Sequence, residues 1–376
     1  MGGKIRVGLI FGGRSGEHEV SLMSASSVHE NIDREKFEVV PIGVNREGKW
    51  MLAADAVGML ERGVSEDTGE RVAIVPEPSG SIIRTGNART RGAGTGAPGS
   101  AIGGVDVVFP LLHGTYGEDG TVQGLLELAD IPYVGSGVLA SSIGMDKHAM
   151  KRLFREWGLP VVNHEAVMRK EVESRPDDVV ETLASRLGFP LFVKPANLGS
   201  SVGVSKVRTR DDLGPALRKA CLYDRKVIAE EAVKDVREIE CAVLGNDDPV
   251  ASPPGEIIPS REFYDYVAKY LDPETRLVVP ADLSEDVAKD IERMSIEAFK
   301  CIDASGLARV DFLVERGTNR IWLNEINTIP GFTKVSMYPR MIQAMGISYT
   351  DLITRLIDLA FERWRDKARK ATSYSP

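Results

Sequence analysis

Asp311 stands in the run Ala308-Arg309-Val310-Asp311-Phe312, and Glu325 and Asn327 stand in Ile321-Trp322-Leu323-Asn324-Glu325-Ile326-Asn327, with the polar stretch 315–320 between them. Two apolar runs around such a stretch predict antiparallel strands joined by a tight turn. Strand side chains alternate faces, so Glu325 and Asn327 share one, and Asp311 on the partner strand can join them with Arg309 beside it. Two carboxylates and an amide, with no Cys or His nearby, suit a magnesium-type cation held jointly with phosphate oxygens rather than zinc. A hairpin with solvated charges would carry the same residues.

A second segment offers the phosphate chemistry. The strand 189–195 ends in Lys194 and runs into Ala196-Asn197-Leu198-Gly199-Ser200-Ser201-Val202-Gly203. Amides freed by Gly199 and Gly203, with the hydroxyls of Ser200 and Ser201, can wrap phosphate oxygens while Lys194 supplies charge. No Gly-Lys-Ser/Thr opens a helix here, so this is not a Walker-type loop, and a glycine-rich hairpin turn is the competing reading. Farther on, the apolar run 227–233 contains Glu230 and Glu231, and Glu238 follows. A strand end with backbone polar groups and a carboxylate can hold an adenine edge and ribose hydroxyls, but surface acids are common and do not by themselves establish a nucleotide site.

The elements that must position these groups alternate in type. A buried strand 5–11, a glycine turn 12–16, a helix 19–31 and a strand 39–44 form a βαβ start. The first turn lacks the G-x-G-x-x-G spacing, and the second strand ends in Asn45 rather than an acid, which argues against a dinucleotide site. Residues 84–104 are rich in Gly, Ala, Ser and Thr without apolar period and read as a mobile surface loop or insertion. The strand 105–110 leads into His113-Gly114-Thr115-Tyr116-Gly117-Glu118-Asp119-Gly120, a loop at a strand end where function often sits, and a helix 121–129 follows. A boundary falls near 134–137. Helices 146–157 and 178–187 with strands 191–193 and 202–207 make a small α+β unit, and a third region starts near Val233. There Val287, Ile291, Met294, Ala298 and Ile302, and again Leu352, Ile353, Leu356, Ile357 and Ala360, recur at helical spacing and read as core faces.

With 376 residues and 43% hydrophobic content, the chain can build two or three cored domains. A formal net charge of -8 and a pI near 5.4, with no basic run beside aromatic residues, exclude nucleic acid as an expected partner. Cys221, Cys241 and Cys301 form neither a disulfide framework nor a metal knuckle, which fits a reducing cytoplasm. No apolar run approaches a membrane span or a signal segment, so no membrane partner is expected.

Read in order, Gly12-Gly13-x-Ser15-x-Glu17-x-Glu19-Val20-Ser21, the His113 loop, Met145-Asp146-Lys147, the Lys194 loop, Phe263-Tyr264-Asp265-Tyr266-x-Ala268-Lys269-Tyr270, Arg309-x-Asp311 and Asn324-Glu325-x-Asn327-x-x-Pro330-Gly331-Phe332-Thr333 closely resemble the D-alanine-D-alanine ligase family of the ATP-grasp superfamily, from residue 5 to about 360. The resemblance implies an α/β, three-domain ATP-grasp architecture: a Rossmann-like N-terminal substrate-binding domain at 1–137, a central lid at 138–232, and a C-terminal domain at 233–376 carrying the metal site and a mobile loop 255–275. It implies that ATP phosphorylates the carboxylate of one D-alanine and that the amine of a second attacks the acyl phosphate, in cytoplasmic peptidoglycan precursor synthesis.

Residue by residue, the resemblance assigns two Mg2+ (or Mn2+) ions to Asp311, Glu325 and Asn327, and the ATP phosphates to Lys147, Lys194, Ser200, Ser201 and Lys269. It assigns adenine and ribose to Glu230, Ala232, Val233 and Glu238. Arg309 and the Gly331 amide match stabilisers of the tetrahedral oxyanion, Glu17 the acid on the first substrate's ammonium, His113 the imidazole near its carboxylate, and Ser336 the hydroxyl on the second substrate's carboxylate. Glu17, Ser200 and Tyr270 match a hydrogen-bonded triad that closes the loop. The resemblance also implies a homodimer and leaves a monovalent cation open.

The same chemistry with D-lactate or D-serine as second substrate is the nearest rival, and the intact Tyr-Asp-Tyr-x-Ala-Lys-Tyr run with Tyr270 argues against lactate. A non-catalytic nucleotide or peptide binder would not need Asp311, Glu325, Asn327, Lys147 and Lys194 together. A NAD-dependent dehydrogenase would need the acid that is missing after the second strand.

Overall fold

The computed structural model describes residues 3–53, 55–78, 81–85, 101–259 and 274–371. Its first strand, Ile5–Gly12, is buried from Val7 onward, and such a strand needs cover on both faces and neighbours on both edges. Phe37–Val44 and Val107–Pro110 flank it, both parallel, in a seven-stranded sheet that has Val107–Pro110 at one edge. The sheet continues outward from Phe37–Val44 through the antiparallel strands Trp50–Ala53, Gly69–Ile74, Ser81–Arg84 and Ala101–Gly104. The last pair corrects the reading of 84–104 as loop throughout: its ends belong to paired strands, because backbone pairing does not require apolar side chains. Residues 86–100 lie outside the described residues. At the end of Ile5–Gly12 the chain turns with Gly12 at φ +90°, where a Cβ would stand 2.2 Å from the Val44 carbonyl, so only glycine fits before helix His18–Asn31 begins.

A second, four-stranded antiparallel sheet runs Ser205–Val207, Leu191–Pro195, Lys226–Glu231, His164–Met168. Helices Pro176–Leu187 and Arg210–Cys221 cover it, burying Leu183, Leu187, Leu213 and Leu217 against Leu191, Val193 and Val227.

The third sheet is antiparallel and runs Arg276–Val278, Gly255–Ile258, Val236–Gly245, Gly306–Glu315, Ile321–Asn327, with Val250–Ala251 paired to Val236–Gly245. Residues 255–258 of the expected loop 255–275 are thus a strand. Residues 260–273, with Lys269 and Tyr270, lie outside the described residues. Helix Glu285–Cys301 lays Val287, Ile291, Met294 and Ala298 on this sheet, as their spacing predicts, and Met150 and Phe154 of helix Lys147–Glu156 enter the same core. Helix Tyr349–Lys367 buries Leu352, Ile353, Leu356, Ile357 and Ala360 in a core that also holds Phe109 from the first sheet and Leu307 from the third. At about 1.5–3 kcal/mol per fully buried large aliphatic side chain, that shared core fixes the first sheet against the third. Among the described residues no helix is long and apolar enough to cross a membrane.

Candidate active site

The hairpin forms as its pattern predicts, with Asp311 opposite Glu325 and Arg309 opposite Asn327. Strict alternation along Ile321–Asn327 would also put Leu323 on the Glu325 face. A register shift between Asp311 and Phe312 removes that conflict, so Leu323 and Ile326 both reach the core while Glu325 and Asn327 stay beside Asp311. On the other flank of Gly306–Glu315, Glu240 pairs with Asp311 in register and so adds a third carboxylate to this face.

Arg309 lies among these acids. Its Nε and a terminal nitrogen donate to the two oxygens of Asp311 at 2.7 Å each, and Glu240 is 3.1 Å away. Burial opposes its charge, but Asp311 and Glu240 outweigh burial and hold its pKa well above the usual arginine value. Among the described residues no three His, Cys, Asp or Glu side chains gather into a metal centre. Asp311, Glu325 and Asn327 instead present two carboxylates and an amide, the donor set of a cation that completes its shell with phosphate and water.

Lys147 connects this hairpin to the glycine loop. Asp146 caps helix Lys147–Glu156 by accepting from the amides of His148 and Ala149 at 3.2 and 3.0 Å, and a salt bridge from Lys226 fixes its side chain. Lys147, next in sequence, donates its ammonium to the Leu198 carbonyl at 2.8 Å and lies 3.7 Å from Glu325. In the loop itself Ser200 and Ser201 take positive φ, +50° and +57°, a conformation non-glycine residues seldom adopt and one that recurs at binding sites.

Lys194, the last residue but one of its strand, lies 2.6 Å from Glu230 on the neighbouring strand. Burial works against both charges, but the pair and the nearby Lys151 hold the Glu230 carboxyl at about 2, and Glu230 raises Lys194. Ala232 and Val233 follow half-buried, with the Ala232 amide donating to Pro190 at 3.1 Å. Glu238 pairs in register with Leu313, two residues beyond Asp311 and on its face.

The N-terminal groups converge on the same cleft. Glu17 precedes helix His18–Asn31 and its carboxylate accepts a hydrogen bond from the Ser200 hydroxyl. A Cβ at Gly199 would stand 2.9 Å from Glu17 Oε2, and one at Gly114 2.7 Å, so glycines line both sides of this carboxylate. His113 is buried with Nδ1 3.0 Å from the Ile329 carbonyl and Nε2 3.1 Å from the Ser24 hydroxyl, and burial lowers its pKa despite Glu17 nearby. The Ile329 amide donates to Asn327 Oδ1 at 3.1 Å, which links His113 to the hairpin. Gly331 is followed by Phe332, fully buried against Phe109 at 5.6 Å and held through its amide by Ser24. Ser336 precedes helix Met337–Ala344, and its hydroxyl lies 2.8 Å from that of Thr333.

Family models match two stretches: D-ala D-ala ligase N-terminus over residues 6–136 and D-ala D-ala ligase C-terminus over residues 153–358. The D-alanine--D-alanine ligase of Natranaerobius thermophilus is 48% identical over 372 residues, covering 99% of each chain. That of Heliobacterium modesticaldum is 48% identical over 373 residues, again covering 99% of each. The chain belongs to the D-alanine-D-alanine ligase family. Among solved structures, the family member from Coxiella burnetii superposes with a TM-score of 0.81 at 36% identity, covering 97% of this chain and 96% of that one. The VanG D-Ala:D-Ser ligase from Enterococcus faecalis gives 0.82 at 34%, covering 95% of this chain and all of the other. The α/β ATP-grasp architecture expected from the motifs is therefore the fold of this chain.

Three groups in this family member's cleft were not singled out from sequence. Glu240 is the next residue after Glu238 on the same face of one strand, a period-two signal that was available. Glu118, inside the His113 loop, is buried and accepts from the Gly114 amide; burial first, then the neighbouring Glu17, raise its pKa well above the carboxylate range. Lys151 sits one helical turn beyond Lys147, fully buried, 3.4 Å from Glu230. The i, i+4 spacing to Lys147 was its only signal.

Proposed function

We propose that this protein joins two D-alanine molecules into D-alanyl-D-alanine with conversion of ATP to ADP and phosphate, supplying a peptidoglycan precursor. Lys147 carries the reading: one ammonium reaches both the glycine loop, at Leu198, and the acidic hairpin, at Glu325. A loop suited to phosphate and a donor set suited to a divalent cation thus meet at a single cation, as phosphoryl transfer requires.

Asp311, Glu325 and Asn327 would hold two Mg2+ ions, which would supply positive charge to offset that of the ATP phosphates. Lys147, Lys194, Ser200 and Ser201 bind those phosphates, with Lys269 from outside the described residues. Glu230 and the backbone at Ala232 and Val233 take the adenine edge, and Glu238 the ribose. Glu17 binds the ammonium of the first D-alanine, and His113 turns from Ser24 to its carboxylate. After the carboxylate is phosphorylated, Arg309 and the Gly331 amide stabilise the oxyanion formed by attack of the second amine, since preorganised donors act most strongly where charge develops in a water-poor site. Ser336 holds the second carboxylate, and Tyr270 completes the Glu17–Ser200 link.

The three sheets fall within 1–137, 138–232 and 233–376, which supports a division into three domains at those boundaries, with helix Lys147–Glu156 of the second docked on the third sheet. A cytoplasmic homodimer belongs to the same proposal.

The second substrate is tested by supplying ATP, Mg2+ and D-alanine with equal D-serine or D-lactate and weighing the products. D-alanyl-D-alanine should dominate. A comparable yield of D-alanyl-D-serine would move the reading toward the activity named for the VanG structure, and a comparable yield of D-alanyl-D-lactate toward an ester-forming ligase.

A further inference from the structure

Two lysines address one carboxylate. Lys194 reaches Glu230 Oε2 at 2.6 Å, while Lys151 lies 3.4 Å from Oε1. They differ in what else they can do. Lys194 stands last but one in a strand that feeds the glycine loop, and its side chain keeps 13% exposure, so it can turn outward to phosphate. Lys151 has 1% side-chain exposure, on a helix whose Met150 and Phe154 are core residues, so its ammonium is shut off from solvent where that of Lys194 is not. Neither its ammonium nor Glu230 Oε1 has a hydrogen bond of good geometry within the protein. A fully buried ammonium in that condition costs stability, so a role beyond packing gives it a reason to be there.

We propose that Lys151 is a positioning residue for the nucleotide base, which holds Glu230 as an ionised acceptor for the adenine amino group when Lys194 leaves for the phosphates, and thereby makes the protein prefer adenine over guanine nucleotides. The inference rests on Glu230 receiving adenine. An ionised carboxylate accepts from the amino group at adenine C6 and repels the carbonyl oxygen that guanine carries there, whereas a protonated acid or an amide can donate to that oxygen. Without Lys151, departure of Lys194 would leave Glu230 buried beside no cation. His164, opposite Glu230 in the strand register, does not replace it: burial foremost lowers its imidazole to about 4, so it is neutral. Arg155, 3.2 Å from His164 Nδ1, adds to keeping that ring neutral.

The test measures D-alanine-dependent phosphate release with ATP and with GTP for wild type, Lys151→Met, Glu230→Gln and the double variant, each checked by thermal melting. Lys151→Met should raise the KM for ATP about tenfold or more with kcat within about threefold, and should reduce the ATP-over-GTP preference by a similar factor. The double variant, which buries no charge at this pair, should lose no more than Glu230→Gln alone, because both changes remove one interaction. If Lys151→Met does not fold, this second comparison decides. An unaltered KM and preference in Lys151→Met, or a double variant whose loss is the product of the single losses, would overturn the inference. A wild type that does not prefer ATP, or a Glu230→Gln variant that behaves as wild type, would instead overturn the assignment of Glu230 to adenine and the inference with it.

Discussion

Ser200 donates a hydrogen bond to the Glu17 carboxylate across 183 residues of sequence, joining the glycine loop of the second sheet to the start of the first helix. The same loop carries the Leu198 carbonyl that accepts from Lys147. Ser200 holds a left-handed backbone conformation there, and the contact helps to keep it.

Ser200→Ala should therefore lower kcat/KM for D-alanine by about 10- to 100-fold while changing global stability by no more than about 1 kcal/mol, since one partly exposed hydrogen bond is lost. Steady-state phosphate release and a urea melt measure the two. A large stability loss with unchanged kinetics would assign the bond a structural role only.

Glu325→Gln keeps side-chain volume while removing a charge from the proposed metal set and from Lys147. Turnover should fall at least about 100-fold, and the rise in melting temperature that Mg-ATP gives the wild type should shrink. Full activity would contradict the assignment of Glu325 as a ligand.

Glu230 predicts an acid sensitivity. Burial alone would raise its pKa, but Lys151 and Lys194 lower it from 4.5 to about 2. A carboxyl depressed in the folded state adds stability that is fully present above pH 4.5 and is lost as pH falls from there toward 2. Urea midpoints followed across that window should decline less steeply in the Lys151→Met/Glu230→Gln double variant than in wild type. An equal slope would show that Glu230 does not titrate as its surroundings require.

Phe332 packs against Phe109, Tyr338 and Tyr349 with no exposure, and Gly331 is the residue before it. Phe332→Ala should cost about 3–5 kcal/mol of stability. It should also lower kcat more than it raises either KM, because the Gly331 amide is proposed to act on the transition state. A stable variant with normal kcat would argue against Gly331.

How much of this was legible in the sequence depends on the kind of signal. Alternation along 307–314 and 321–327 is enough to place Asp311, Glu325 and Asn327 together, and helical spacing to place Ile291 and Leu356 in cores. The shift that frees Leu323 from the Glu325 face was invisible, since one extra residue in a strand leaves no periodic trace. Lys151 had only its i, i+4 spacing to Lys147 to mark it: a lysine on a helix ordinarily lies in water, and only the partner strand bearing Glu230 shows that this one does not. The strands at both ends of 84–104 escaped because their pairing uses backbone rather than side-chain pattern. For His113 the motif suggested a substrate contact, yet tertiary packing gives both ring nitrogens to Ser24 and Ile329, which local sequence does not encode.

The proposed function couples ATP cleavage to dipeptide formation. With ATP, Mg2+ and D-alanine, phosphate and D-alanyl-D-alanine should appear in equal amounts when the first is measured colorimetrically and the second by mass spectrometry. Phosphate release that does not depend on D-alanine, or that proceeds with no dipeptide, would contradict it.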